Sequence, residues 1–321
     1  MRRAVIIALA LTVSGCSGEI GPAPDQGPAS SSRGQPDAAP TAVGPDAASP
    51  IAPPDAGGIP GKADSPSGSP GADAASDGAS AAPGWWHPTP GMTWDWQLVV
   101  PIDQSAMVDV YDIDLFENTA DVVASLHSKG RKVICYVDLG SWESYRPDAS
   151  SFPSIVLGAT YVGYPNERWL DIRRIDLLTP IVRSRLDMAK ANRCDAIEAD
   201  NMDGYDTNTH ESSGFPLTYQ DQIAYNLFVA GEAHARGMAI ALKNDIFQVM
   251  DLLSDFDMEV NEECFRYSEC NLVEPFVQAG KPVFECEYTL TADQFCPQAK
   301  PLNVSAIQKH LNLDAFRIGC P

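Results

Sequence analysis

From residue 94 onwards, short runs rich in β-branched and aromatic residues alternate with segments that have the apolar spacing of helices. The candidate strands are residues 94–99, 108–113, 132–137, 195–199, 238–242, 258–260, 282–285 and 315–319. The candidate helices are residues 120–128, 180–191, 218–236, 246–253, 273–279 and 305–311. Eight strands with helices between them predict an α/β fold, a (β/α)8 TIM barrel. The main alternative, a doubly wound open sheet, usually has fewer strands and a phosphate-binding loop, and no such loop motif follows any of these runs.

The N-terminus has the pattern of a secretory signal. A start with two arginines is followed by an apolar run that is too short to span a bilayer. The run ends in Val13-Ser14-Gly15-Cys16, which resembles the bacterial lipobox, where the cysteine is acylated and becomes the mature N-terminus. We therefore predict an exported bacterial lipoprotein with a signal over residues 1–16, attached to the membrane only through a lipid on Cys16. Ser17 stands where lipoprotein sorting looks for Asp, which favours the outer membrane or cell surface.

The next segment lacks the residues that build a core. Residues 17–84 contain no aromatic residue and no cysteine, and Pro, Ala, Gly, Ser and Asp dominate them. Such a segment cannot bury enough apolar surface to offset its chain entropy. We predict a disordered tether over residues 17–84 and one folded domain over residues 85–321.

The chain is strongly acidic, with 43 Asp and Glu against 22 Lys and Arg and a formal net charge of −21. A surface this negative repels nucleic acid and anionic polysaccharides and attracts cationic ligands. Many exported proteins are acidic for solubility alone, so charge ranks substrate classes without choosing one. We expect no nucleic-acid partner, and we expect a monomer.

With Cys16 assigned to lipid, seven cysteines remain. In an oxidising compartment, we predict a disulfide between the close pair Cys264 and Cys270, and a second between Cys296 and Cys320. Because seven is odd, at least one thiol stays free, is buried, or pairs between chains. No Cys-x-x-Cys is present and the five histidines lie too far apart for a local ligand pair, so we predict no metal and no cofactor.

Residues 194–205 place several acids behind a short run able to be a buried strand. If residues 196–200 are extended, Glu198 and Asp200 share one face at the C-terminal end, where parallel α/β folds keep their active sites. The alternative is an acidic turn that caps the next helix. Polar residues also follow other candidate strands: Asp112, Asp114, Asp138, Lys243, Asn244, Asp245, Asn261, Glu262, Glu263, Glu287 and Tyr288. In a barrel, all of them converge on one rim.

Hydrolysis of a glycosidic bond needs one carboxylic acid to protonate the leaving oxygen and a second carboxylate to attack or to activate water. Acids on two separate strand ends meet this need, whereas serine-hydrolase chemistry lacks its G-x-S-x-G elbow here. Aromatic residues expected at the rim could stack on sugar faces or simply pack: Trp96, Trp142, Trp169, Tyr205 and Tyr288.

Motifs in nine places resemble glycoside hydrolase family 114, the endo-α-1,4-polygalactosaminidase-like proteins. They are residues 94–98, 108–116, 133–136, 167–173, 194–205, 214–217, 242–245, 261–265 and 285–288, in the same order as in the family. The resemblance implies a TIM-barrel glycosidase that cleaves α-1,4-linked galactosamine-containing exopolysaccharide, with retention of configuration. A cationic aminosugar polymer would then be the substrate.

By motif, the resemblance implies that Asp200 in Glu198-Ala199-Asp200-Asn201 is the nucleophile and Glu262 in Asn261-Glu262-Glu263-Cys264 is the acid/base. The residues alone do not separate Asp200 from Glu198, or Glu262 from Glu263, although strand alternation turns only one of the adjacent glutamates into the mouth. The expected substrate-binding residues are Trp96, Asp112, Asp114, Asp138, Glu198, Asn201, Tyr205, Lys243, Asn244 and Tyr288.

Lys243 and Asn244 have two possible roles, either hydrogen-bonding substrate hydroxyls or holding the nucleophile ionised. Asp112 and Asp114 either bind a galactosamine amine or are structural. Asp138 departs from the small polar residue that relatives often carry, and we predict a subsite contact to a cationic sugar.

Two other functions fit part of the pattern. A non-catalytic surface protein could bind aminosugar polymer on the same barrel, but it would not need acids on two strand ends. A chitinase-like barrel is suggested by the acids between Asp112 and Glu117, but their spacing differs from the usual chitinase pattern.

Overall fold

The computed structural model describes residues 84–207 and 212–320. The predicted signal, the predicted lipidation site Cys16 and residues 17–83 of the predicted tether lie outside the described residues. Within the described part of the chain, no helix is long and apolar enough to cross a membrane.

Strands and helices alternate along the described chain. The strands are β1 Trp94–Gln97, β2 Val110–Asp114, β3 Lys132–Asp138, β4 Ser141–Glu143, β5 Leu157–Thr160, β6 Glu167–Leu170, β7 Ala196–Asp200, β8 Ala239–Lys243, β9 Met258–Glu262, β10 Val283–Glu287, β11 Ser305–Gln308 and β12 Ile318–Gly319. The helices are α1 Ala120–Ser128, α2 Ile175–Asn192, α3 Tyr219–His234, α4 Val249–Leu252, α5 Cys264–Tyr267, α6 Glu274–Gln278 and α7 Ala292–Leu302.

Eight strands form one parallel sheet in the order β1-β2-β3-β7-β8-β9-β10-β11, and β12 extends it antiparallel to β11. The first and last parallel strands meet, because the indole Nε1 of Trp94 donates to the carbonyl of Ser305 at 2.7 Å. Leu98 N also donates to Leu313 O at 3.0 Å. The sheet therefore curls into the predicted TIM barrel, and the fold prediction is confirmed.

Strand alternation divides the apolar residues into two cores. Side chains such as Val110, Ile134 and Ala196 point into the barrel, where Trp94 and Trp96 stack with ring centroids 5.8 Å apart. Their strand neighbours, such as Ile113 and Ile197, face the surrounding helices. The two tryptophans fill the interior beneath the C-terminal ends of the strands, where barrel folds carry their sites.

Two predicted elements differ from the structure, and several observed elements, α7 among them, are absent from the prediction. Residues 305–311, predicted to be helical, contain β11, and within residues 315–319, predicted to be the eighth strand, only the short edge strand β12 forms. Helix α7 is absent from the prediction, because Pro297 and Pro301 lie inside it. A short apolar run such as residues 304–307 fits either a strand or a helix turn, and barrel closure selects the strand.

A long excursion between β3 and α2 contains a second, antiparallel sheet in the order β4-β6-β5. It leaves the barrel at the C-terminal end of β3, which is the mouth side. Gly140 and the loop after Asp200 pack together so closely that a Cβ on Gly140 would overlap the backbone oxygen of Asn201. The excursion is therefore attached directly to the mouth.

The predicted disulfides Cys264–Cys270 and Cys296–Cys320 are both present, and so is a third between Cys135 and Cys194. Cys286 is the remaining thiol among the described cysteines, and it is buried inside the barrel. This outcome confirms the expectation that an odd count leaves one thiol unpaired.

Candidate active site

Three consecutive barrel strands end in a charged residue that points into the mouth: Asp200 on β7, Lys243 on β8 and Glu262 on β9. The residue after each has a left-handed backbone, with φ of 59° at Asn201, 59° at Asn244 and 58° at Glu263. Asn tolerates this conformation better than most residues, and Glu263 is uncommon in it. In all three places, a residue with a left-handed backbone therefore turns the chain away from the mouth directly after the charged residue.

Lys243 lies at the centre of the site. Its Nζ is 2.8 Å from Asp200 Oδ1, 3.1 Å from Glu262 Oε2 and 3.4 Å from Glu198 Oε1. The ammonium also lies 5.0 Å from the centroid of the Trp96 ring. One cation, only 2% exposed, thus joins acids that are up to 64 residues apart in the chain.

Asp200 is kept ionised by its neighbours. Burial alone would raise its pKa, but the Lys243 ammonium and hydrogen bonds from Lys243 and Tyr136 outweigh burial and hold the pKa below its usual range. Tyr136 Oη donates to Asp200 Oδ2 at 2.8 Å. The side chain retains 13% exposure, so a ligand in the mouth can reach this carboxylate.

Glu262 is held at both oxygens. Tyr288 Oη donates to Oε1 at 2.5 Å, and Asn244 Nδ2 donates to Oε2 at 2.9 Å. Asn244 also accepts from the backbone N–H of Glu262 at 2.9 Å, so one amide fixes both the strand end and its side chain. The adjacent Glu263 turns the other way, where its carboxylate accepts from Arg266 and Thr289. As expected, only one of the two glutamates faces the mouth, and it is Glu262. Glu263 lies beyond the end of β9, and its left-handed backbone directs it away.

Two further acids lie deeper in the barrel. Asp112 on β2 and Glu198 on β7 are 0% exposed. Burial raises the pKa of Asp112 to about 7, and burial together with Asp112 raises the pKa of Glu198 well above its usual range. Trp96 is also 0% exposed. The structure therefore places these three residues beneath the mouth, while Asp200 and Glu262 stand at its surface.

The other predicted binding residues are spread around the rim. Asp114 is paired with the Arg146 guanidinium, at 2.7 and 3.0 Å. Asp138 accepts from Ser141 N, from the Ser141 hydroxyl and from Asn201 Nδ2, while burial raises its pKa to about 7.

The aromatic residues differ in their surroundings. Tyr205 is half-buried and meets Tyr219 edge-on at 5.5 Å. Trp142 is half-buried and donates to the carbonyl of Ala149. Trp169 is buried and stacks on Tyr161 at 4.7 Å.

Sequence reasoning missed several groups at the mouth. Tyr136 lies two residues before Asp138 on the same face of β3, so strand alternation could have found it. Glu167 on β6 could not be found, because nothing predicted the antiparallel sheet. Burial raises its pKa to about 9, with Asp138, Glu143 and Asp200 adding to the effect. The mouth thus carries more acids than its strand ends alone provide.

The sequence and fold of this chain are similar to those of known proteins. The family profile of glycoside hydrolase family GH114 matches residues 75–321. The crystal structure of Aspergillus fumigatus Ega3 in complex with galactosamine is 38% identical with a TM-score of 0.69, and the match covers 73% of this chain and 97% of that one. The glycoside hydrolase domain of PelA from Pseudomonas aeruginosa is 10% identical with a TM-score of 0.56, covering 71% of this chain and 98% of that one. At this identity, the PelA domain is similar in fold only. Among curated protein sequences, none gives a significant match.

The family match covers the whole barrel, including every strand end described above. The barrel topology, the acids on separate strand ends and the similarity to Ega3 lead to one classification. The chain is a glycosidase that belongs to glycoside hydrolase family GH114.

Proposed function

We propose that this enzyme cleaves α-1,4-linked galactosamine-containing exopolysaccharide, with Asp200 as nucleophile and Glu262 as acid/base. One observation carries the proposal. Because both carboxylates contact the same Lys243 nitrogen, at 2.8 and 3.1 Å, the contacting oxygens are less than about 6 Å apart. Retaining glycosidases hold their two carboxyl groups about 5–5.5 Å apart, whereas inverting enzymes need room for a water molecule between them.

The chemistry then proceeds in two steps. In the first, protonated Glu262 gives its proton to the leaving glycosidic oxygen while Asp200 attacks the anomeric carbon to form a glycosyl-enzyme. In the second, Glu262 takes a proton from water, which attacks the same carbon and releases Asp200. Lys243 supports this sequence by keeping Asp200 ionised, and this role accounts for the lysine without a contact to substrate hydroxyls.

The acids around the mouth support a cationic substrate. Glu167, Asp138, Glu143 and Asp200 lie close enough that their mutual repulsion helps raise the pKa of Glu167 to about 9. An ammonium group brought into this region would relieve the repulsion and favour the ionised carboxylates. Galactosamine carries such a group, and Ega3 was crystallised with that sugar. We place the amine contact at Glu167. Asp138, predicted as a subsite contact, is 1% exposed and its carboxylate already accepts from Ser141 and Asn201, so it supports the rim instead.

Three disulfides support export to an oxidising compartment. We therefore retain the proposal of an exported lipoprotein that is acylated on Cys16, tethered at the outer membrane or cell surface, and monomeric. Globomycin-sensitive processing and labelling with a radioactive fatty acid test the lipid, and Cys16→Ser is the matched control.

The central test is turnover of defined polymers. Purified Cys16→Ser enzyme is incubated with α-1,4-linked galactosamine polymers of known acetylation, and new reducing ends and product masses are measured. We expect cleavage with the α-anomer appearing first by ¹H NMR, as retention requires. Asp200→Asn and Glu262→Gln should abolish turnover while Glu263→Gln, one residue away, keeps it. Binding without any reducing-end release would favour the non-catalytic polymer-binding alternative, and an initial β-anomer would exclude Asp200 as nucleophile.

A further inference from the structure

The two deepest acids of the site have no contact with solvent. Asp112 and Glu198 are 0% exposed, and among the described residues neither carboxyl accepts a hydrogen bond from a backbone or side-chain N–H, or from a hydroxyl. Buried carboxyl groups without donors are costly unless they satisfy each other. Two carboxyl groups in contact can do so only when one of them carries a proton.

Burial raises the pKa of both carboxyl groups, to about 7 for Asp112 and well above the usual range for Glu198. Glu198 is therefore the group that keeps the proton at neutral pH. The charged groups that face the pair are Asp114 on β2, Asp200 on β7 and Lys243 on β8. The two aspartates oppose ionisation of Asp112, and Lys243 favours it.

The pair reaches the mouth through one contact. Glu198 Oε1 lies 3.4 Å from Lys243 Nζ, beneath the contacts of that nitrogen with Asp200 and Glu262. Lys243 Nζ donates a hydrogen bond to Asp200 Oδ1 at 2.8 Å and lies within ion-pair distance of Glu262 and Glu198. The Trp96 ring lies close to the same ammonium, 5.0 Å from it.

We propose that Asp112 and Glu198 are positioning residues whose carboxyl groups share one proton and hold Lys243 between Asp200 and Glu262. This inference rests on the proposed function for its kinetic consequences and goes beyond it by giving the buried pair a role other than substrate contact. When the shared proton is lost, a second negative charge appears beneath Lys243 and draws the ammonium away from the mouth. Loss of the shared proton should therefore lower kcat on the alkaline side of the pH profile, and this fall is called the alkaline limb below.

The kinetic test uses Glu198→Gln, Glu198→Ala and Asp112→Asn. The amide introduced by Glu198→Gln still donates to Asp112 and keeps an oxygen towards Lys243, so we expect kcat to fall less than about tenfold and the alkaline limb to move to higher pH. Glu198→Ala leaves Lys243 unsupported, and kcat should fall about 100-fold with KM within about threefold. Asp112→Asn should also move the alkaline limb, because it removes the charge that the shared proton balances.

The matched control is Glu259→Gln. Glu259 is likewise 0% exposed with an oxygen that takes no hydrogen bond, and it feels the charge of Lys243, but its carboxyl is not among the three acids within ion-pair distance of that lysine. It should leave the shape of the pH profile unchanged. If Glu198→Ala and Glu198→Gln have equal activity per mole of folded enzyme, Asp112 and Glu198 do not position Lys243 and have only a structural role. A raised KM with unchanged kcat in Glu198→Ala would show that Glu198 binds substrate instead.

A measurement that needs no turnover separates this inference from the proposed function. The folded enzyme, labelled with ¹³C at its side-chain carboxyl carbons, is titrated by NMR from about pH 5 to about pH 9. Several buried glutamates have a raised pKa, Glu167 among them, so the Glu198 signal is assigned as the one that disappears in Glu198→Gln. We expect that signal to remain protonated across neutral pH. A Glu198 signal that is fully ionised at about pH 5 would overturn the inference even if the enzyme cleaves polymer. A protonated signal in an enzyme that cleaves none of the polymers would refute the proposed function alone.

Discussion

Glu262 and Glu263 are adjacent in the chain, yet they serve two different regions. Glu262 points into the mouth, with 8% side-chain exposure and a lysine at 3.1 Å. Glu263 points behind the barrel wall with no exposure, beside two more buried acids, Glu285 and Glu287. The mouth acids surround a side-chain cation, whereas the wall acids mostly accept backbone N–H groups.

The wall acids hold the turn that follows Glu262. Glu285 accepts from Cys264 N at 3.0 Å, and Glu287 accepts from Phe265 N at 2.9 Å and Arg266 N at 3.1 Å. They therefore satisfy the first N–H groups of α5, which no helix carbonyl can reach. A buried acid is therefore not by itself a sign of the mouth. Glu285 and Glu287 lie on the face of β10 that points away from the barrel interior, where their carboxylates accept backbone N–H groups.

The division between mouth acids and wall acids is tested most directly by two isosteric substitutions at adjacent residues. Glu262→Gln removes the proposed proton donor and should bring kcat close to zero, a loss of at least about 100-fold, with little change in stability. Glu263→Gln keeps the backbone turn and should lower kcat less than about tenfold, because its effect on the mouth is indirect. Initial rates on galactosamine polymer and chemical denaturation measure both properties. Similar kcat losses in the two variants would contradict the division into mouth and wall.

Removing each of two disulfides tests the division between mouth and wall, because the two changes should differ in their effects on unfolding free energy and on kcat. Cys135–Cys194 spans 59 residues and Cys264–Cys270 spans 6, so loop-closure entropy predicts losses of about 4 and about 2 kcal/mol when each pair is replaced by Ala. Only the second replacement should also lower kcat, because Cys264 follows Glu263 directly and anchors the turn behind Glu262. Urea denaturation and kcat, measured on each double variant, give the comparison. A large kcat loss in the Cys135/Cys194 variant alone would reverse the assignment.

The pH dependence of stability tests the wall acids directly. Burial raises the pKa of Glu287 to about 7, with the charge of Glu263 adding to the effect. The folded state therefore binds this proton more tightly than the unfolded state, so its stabilising effect is complete at low pH. Stability should fall by up to about 3 kcal/mol as pH rises from about 4.5 to about 7.

Glu287→Gln keeps an oxygen for the same N–H groups and should make that fall smaller. Denaturation at a series of pH values measures the slope, and Glu117→Gln, an exposed glutamate, is the control. An unchanged slope in Glu287→Gln would show that another buried acid carries the titration.

The smallest expected effect comes from Arg266, which bridges the wall acids to solvent. Its guanidinium is 40% exposed and contacts Glu263 at 2.8 Å through Nη1. Arg266→Lys keeps the charge but loses the planar donor geometry, so unfolding free energy should drop by less than about 1 kcal/mol. Thermal denaturation at two salt concentrations checks this. A drop of several kcal/mol would mean that Glu263 depends on this arginine rather than on Thr289.

Local sequence determined the barrel and most of its elements. Helix α1 lies at residues 120–128 as predicted, because its apolar spacing is clear and Gly130 follows its end. The alternation of strands and helices is a local pattern of side chains, so it survives without tertiary information. The alternation of side chains along β7 put Glu198 and Asp200 on one face as predicted, whereas a left-handed turn after β9 separates Glu263 from Glu262.

Tertiary structure decided what depends on distance between elements. Sequence could not show that Glu198 lies beneath Asp200 out of reach of solvent, that Lys243 joins β7 to β9, or that Cys135 meets Cys194 across 59 residues. The sequence also did not identify β11. Its four residues form a strand because they pair with β10 and close the barrel against β1. Burial depth, charge contacts and barrel closure arise only when separate segments pack together, and no single stretch of sequence contains that information.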